Sequence, residues 1–268
     1  MRHLKNSSLV AFLLSAIALN ATPTNNWITW TDHTDYSRTT DSPYGTITYA
    51  TTAHGYINIP SVLGGGTINV TLTGEITNYS QFRFAGDSTD IWSYPSTFLS
   101  SSVTSFAPAG EFVALTGYSN VTNRLTFSAP VTNLIMNIGS LGGGTDAAYQ
   151  FDQNFIILSR GETGWGGPTI TLYHLDPKTV YGQEAAGTIQ FTGTYSSLSW
   201  TTPRKELYSA YTIGVSSTAG TEVANATWTG AQPDFATSNV PEPSTYGLIG
   251  LGALGVAFVA RRRKSKTA

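Results

Sequence analysis

The 268-residue chain is 40% hydrophobic and 12% aromatic, enough for a packed core, so disorder is not its default state. Charged residues make up only 11%, and the absence of cysteine excludes disulfides, cysteine-held metals and thiol nucleophiles. The net charge of −2 hides an asymmetry: between residues 22 and 240 seven Lys and Arg oppose fifteen Asp and Glu, an acidic stretch ill suited to nucleic acid, whose phosphates need clustered bases.

Residues 1–21 read as a secretory signal. Arg2, His3 and Lys5 form a basic start, and residues 9–19 an apolar run of the short length such signals use. Cleavage after Ala21 places a small residue at the cut, although Leu19 two positions earlier is not ideal. Ala16 and Ala18 offer a second small-x-small site. The apolar run is too short to span a bilayer core of about 30 Å, which speaks against an uncleaved anchor.

The next segment is polar. Asp32, His33 and Asp35 are candidate metal ligands, but they alternate without a second cluster, and a solvated loop is the expected structure. Between the two ends no helix-period segment of useful length occurs. Short runs rich in β-branched and aromatic residues appear instead at 46–50, 55–60, 67–73, 81–84, 111–115, 124–128, 132–138, 154–159, 169–174, 188–193 and 209–215. Gly, Pro, Asn and Asp break them, as in a sandwich or barrel. Ile68, Val70 and Leu72 alternate with Asn69, Thr71 and Thr73, the period of a half-buried strand. The expected fold of residues 22–229 is an all-β, antiparallel β-sandwich of jelly-roll type. Leu-Gly-Gly-Gly-Thr occurs at Leu63 and again at Leu141, so a duplicated half is conceivable. Glycine-rich turns between strands explain both copies more simply.

Chemistry within this body is sparse. Gly86-Asp87-Ser88 has the look of an esterase nucleophile block, but the α/β context and the terminal Asp-x-x-His that such enzymes need are missing. Asp87 and Asp90 are expected in an Asp-capped turn, with Ca²⁺ binding as the alternative. Glu111, Glu162, Glu184 and Glu206 are scattered, so no carboxylate pair for glycoside hydrolysis can be named. Trp92 and Trp165 lie in turn-like surroundings and are the candidates for a glycan-facing surface, where a flat ring stacks on a sugar; core packing is the competing use of large aromatics. Asn69, Asn78, Asn120 and Asn225 each open an Asn-x-Ser/Thr triplet, an outcome expected from composition alone. No cofactor is expected.

Residues 230–239 read as a linker to the C-terminal segment 240–268. There Val240, Pro241, Glu242 and Pro243 precede an apolar stretch, 246–260, and then Arg261, Arg262, Arg263 and Lys264. As a helix the stretch rises only about 22 Å, at ~1.5 Å per residue. It can cross a locally thinned bilayer with its arginines snorkelling. The basic cluster stays cytoplasmic, which puts the body outside. Pro241 and Pro243 cannot continue a helix and hold the chain extended, a shape a processing enzyme can grip. Gly250, Gly252 and Gly255 fit a dinucleotide fingerprint in letter only, because no strand precedes them and too little chain follows.

These residues resemble the PEP-CTERM sorting signal: a Val-Pro-Glu-Pro motif, a short glycine-rich membrane stretch and an arginine-rich end, in that order. The resemblance covers about residues 240–264. It implies recognition of Val240, Pro241, Glu242 and Pro243 by an exosortase, a membrane-embedded transpeptidase-like enzyme of Gram-negative bacteria that make exopolysaccharide. The resulting expectation is a signal helix, an extracellular β-domain and a single transmembrane helix. The partners would be the secretion machinery, the inner membrane as a transient anchor, the exosortase, and exopolysaccharide at the surface or in a biofilm matrix. The body itself is expected to be non-enzymatic, with a carbohydrate-binding module and a secreted hydrolase as alternatives.

Overall fold

Among the described residues, the β-branched and aromatic runs form strands. The computed structural model describes residues 23–42, 45–59, 61, 64–77, 95–108, 111–115, 122–142, 146–162, 168, 170–204, 209–233 and 235. The strands are β1 (Asn25–Ser42), β2 (Gly45–Asn58), β3 (Thr67–Thr77), β4 (Val113–Leu115), β5 (Asn123–Leu141), β6 (Ala147–Phe151), β7 (Ile156–Gly161), β8 (Ile170–Asp176), β9 (Thr179–Gln183), β10 (Ala185–Thr201) and β11 (Ser209–Ser216). One 3-10 turn, Pro95–Phe98, is the only helical element of that length among the described residues. The class is therefore all-β, as expected, and every strand pairing is antiparallel.

The strands form one sheet that closes in barrel-like fashion. The two longest strands cause the closure. The first part of β5, Arg124–Phe127, pairs with β3; its second part, Leu134–Gly139, pairs with β11 on the same edge. Since β3, β2, β1 and β11 are consecutive neighbours, the ring β11-β1-β2-β3-β5 returns to β11. The bend lies between the two halves. Pro130 has no N–H to donate, Asn133 sits at φ 52°, and the register with β10 shifts opposite them, between Phe191 and Thr194. β10 bends with its partner. Its first part pairs with β7, its end with β6, and β9 and β8 follow on from β6.

Runs that look separate in the sequence are continuous strands here. The stretches 124–128 and 132–138 belong to β5, and 46–50 and 55–58 to β2. The polar segment of Asp32, His33 and Asp35 is a correction: it is strand, not loop, with those three backbones paired to His54, Ala53 and Ala50 of β2. A strand partner satisfies the backbone whatever the side chains are, so polar composition did not decide it. The run 81–84 lies outside the described residues. The two glycine triplets serve unlike connections: Gly64, Gly65 and Gly66 join the paired strands β2 and β3, while Gly142 leads from β5 to β6, which do not pair.

Apolar side chains fill the interior. Leu72, Leu125, Met136, Phe191, Trp200 and Ile213 are among the buried residues of one continuous core. Burying each such side chain stabilises by about 1.5–3 kcal/mol. At Gly74 the backbone needs glycine: φ is +142°, and an added Cβ would lie 2.4 Å from Asn123 Oδ1. That same Oδ1 accepts the Glu75 N–H at 2.8 Å, which ties β3 to the start of β5.

The outer face of β11, β5 and β10 is covered as well. Thr212, Asn137, Thr188 and Ser159 stand in register across β11, β5, β10 and β7, and all four are buried. The segment carrying Phe98, Val103 and Ala107 lies over this side of the sheet. It meets the polar row with its own backbone: Thr188 Oγ1 is 2.8 Å from Phe98 O, and Ser216 Oγ donates to Ser102 O at 2.8 Å. These two buried hydroxyls are tolerated because they are hydrogen-bonded, whereas Thr212 Oγ1 in the same row has no partner among the described residues.

Tyr211 of β11 gives the body a pH signature. Burial first, and the charge of Glu75 second, push its phenol well above the ordinary 10.0. Above about pH 10 the unfolded chain loses a proton that the folded state keeps, so stability falls by up to ~1.4 kcal/mol per pH unit. In urea melts between pH 9 and 11, Tyr211→Phe is expected to show a shallower decline than the parent; equal slopes would refute the assignment.

Candidate functional site

The segment on which the sequence places its function lies outside the described residues: Val240, Pro241, Glu242 and Pro243, and the basic Arg261, Arg262, Arg263 and Lys264. The same holds for Ala21, Trp92, Trp165, Asp87 and Asp90. The structure contributes the last described stretch before that segment and how it is held.

After β11 the chain returns across the molecule as a strap, residues 222–235. β7 and β8 have no ladder between them, and the strap links them. Val223 N–H donates to Ile157 O of β7 at 2.9 Å. His174 N–H of β8 donates to Ala226 O at 2.7 Å, and Trp228 N–H to His174 O at 2.8 Å. Asn225 makes the turn between these contacts at φ 54°, a conformation Asn tolerates better than most residues.

Two side chains of the body, Arg160 and His174, fasten the strap from beneath. Arg160 of β7 donates to Leu172 O at 3.2 Å, Asn225 O at 3.3 Å and Ala224 O at 2.9 Å, while stacking 4.8 Å over the Tyr173 ring. His174 is buried and stacked on Phe155 at 4.4 Å. Its Nε2 lies 2.6 Å from Glu222 Oε1 and its Nδ1 3.3 Å from Asp176 O. Glu222 Oε1 also accepts Ile157 N–H at 3.3 Å. Nε2 and the carboxylate are thus occupied in holding the strap, while Nδ1 is taken up by the backbone of β8 itself. Among the described residues, no three His, Asp or Glu side chains converge as metal ligands.

Further along, the strap rests on aromatic rings. Trp228 packs against Tyr173 at 5.3 Å and Tyr181 at 5.2 Å, and its Nε1 donates to Ala231 O at 2.9 Å. Phe235 meets Tyr181 at 6.1 Å and sits under the Arg204 guanidinium at 5.5 Å. Arg204 is ion-paired with Asp146, which also accepts from Tyr181 OH at 3.3 Å. The chain therefore stays attached to the body through Phe235, within the 230–239 stretch.

Arg160, Glu222, Trp228 and Phe235 were not singled out by sequence. They are isolated residues from distant positions, and only the fold brings them together. Of the remaining carboxylates, Glu111 accepts Trp30 N–H at 2.9 Å, beside a register shift of β1, and burial raises its pKa against that hydrogen bond. Glu184 accepts from Ser140 Oγ at 2.9 Å. Each has a structural partner, and neither faces a second carboxylate in these contacts.

The chain matches no curated protein and no solved structure, so the recognisable end must carry the comparison. Residues 239–264 match the PEP-CTERM protein-sorting motif. By that motif this is an exosortase-targeted, exported protein that its C-terminus anchors transiently in the membrane.

Proposed function

We propose that the protein is a non-enzymatic, structural β-domain of the surface or extracellular matrix of a Gram-negative, exopolysaccharide-producing bacterium. It leaves the cytoplasm by a signal peptide cut after Ala21. Residues 246–260 then hold it in the inner membrane, with Arg261, Arg262, Arg263 and Lys264 on the cytoplasmic side. Exosortase engages Val240, Pro241, Glu242 and Pro243 and frees the body. The observation that carries this reading is the sorting motif at the end of an all-β body. The sparse charge of the chain, 11%, supports it too, since a Thr-, Ser- and Asn-rich surface suits polysaccharide surroundings. For the fold, the finer reading is an antiparallel β-sandwich of jelly-roll type, with the closed sheet supplying both of its faces.

The test is the mass of the mature protein in a host with an active exosortase. The surface form is expected to lack residues 246–268. Replacing Pro241, Glu242 and Pro243 with alanine is expected to abolish that loss and leave full-length chain in the inner membrane. An intact tail on the parent's surface form would refute the processing reading.

A further inference from the structure

We propose that docking of Phe235 onto Tyr181 and Arg204 sets the reach of the sorting motif, and so governs how readily the processing enzyme engages it. This rests on the processing reading above. The argument is one of length. Five residue steps lead from Phe235 to Val240. At full extension, ~3.3–3.6 Å per residue, they place the motif no more than about 18 Å from the Phe235 contact. A domain of roughly 210 residues has a radius of gyration near ~17 Å. With Phe235 docked, the motif lies within about one body radius of that contact, so an enzyme that engages it must work close against the body.

Undocking changes this. Among the described residues, the next firm attachment is Trp228, with its ring contacts to Tyr173 and Tyr181 and its backbone hydrogen bond to His174. Twelve steps separate Trp228 from Val240, so the reach grows to about 40–43 Å. The contact to be broken is a small one. Phe235 is half-buried and, among the described residues, is held by one edge-on ring and one guanidinium. The strand-like part of the strap, Val223 to Trp228, has backbone hydrogen bonds to β7 and β8 and stays in place. The fold thus holds a short tether that lengthens without unfolding the body.

The test follows tail removal in the full chain by pulse-chase in a host with an active exosortase. Seven Gly and Ser residues inserted between Thr237 and Ser238 leave both the body and the matched motif intact. That variant is expected to be processed about threefold faster or more, as access rises with reach. Phe235→Ala is expected to move the same way, with the melting temperature of the released body unchanged. Equal or slower processing of the spacer variant overturns the proposal. Faster processing of the spacer variant but not of Phe235→Ala also overturns it, because the docked ring then does not govern reach. Absence of processing in the parent chain as well overturns the processing reading, and this inference with it.

Discussion

A chain that ends at Thr221 is expected to lose cooperative folding, while one that ends at Phe235 keeps it. The shorter chain lacks the link between β7 and β8. It loses the hydrogen bonds from Val223 to Ile157, from His174 to Ala226 and from Trp228 to His174. It also strips Glu222 from His174 and leaves Arg160 without the Ala224 and Asn225 carbonyls. Three backbone hydrogen bonds at about 1 kcal/mol each, with the packing of Trp228 at about 1.5–3 kcal/mol, come to roughly 5 kcal/mol. That is a large share of the ~5–15 kcal/mol by which a domain of this kind is stable. Removing residues 236–268 touches none of these contacts. Thermal melts by circular dichroism decide the matter: a sharp transition for the Phe235 chain and a broad or absent one for the Thr221 chain. Matching transitions would mean the strap is an appendage and not part of the fold.

Replacement of Trp200 has the second large effect. Its side chain is 1% exposed, edge-on to Tyr211 at 5.1 Å and tilted against Phe151 at 6.0 Å. It sits near the end of β10, where that strand pairs with both β5 and β6. Trp200→Ala leaves a cavity at this junction and is expected to cost ~3–5 kcal/mol. Trp200→Phe is expected to cost much less, about 1–2 kcal/mol. The reason is specific: the indole Nε1 is buried with no hydrogen-bond partner among the described residues, so phenylalanine removes an unpaired donor along with the lost volume. Urea midpoints of the two variants measure the difference. Equal losses would show that the indole donor is paired.

The alternation of Ile68, Val70 and Leu72 with polar neighbours was enough to place β3, because a strand with one face in the core and one in water leaves a period of two. β5 and β11 are different. β11 is buried at every residue from Ser209 to Ser216, and β5 from Leu134 to Leu141, since the segment around Phe98 and Val103 covers their outer side. Nothing local to Thr212, Asn137 or Thr188 marks them as interior. Their burial comes from a cover more than twenty residues distant in sequence, which supplies carbonyl partners such as Phe98 O. β1 illustrates the same limit from the other side, since its polar residues pair in a ladder that depends only on backbone groups.

By itself, the sequence determined the all-β class and the export of the protein with a transient C-terminal anchor. Both are local properties: strand period and turn residues are read within ten residues, and the sorting segment acts as a short linear signal whose order and spacing suffice. Tertiary structure alone decided the closure of the sheet, the burial of the polar row and the strap that ends the body. Each of these joins residues far apart in the chain, such as Arg160 with Asn225 or Tyr181 with Phe235, and no local pattern encodes a contact made across the fold.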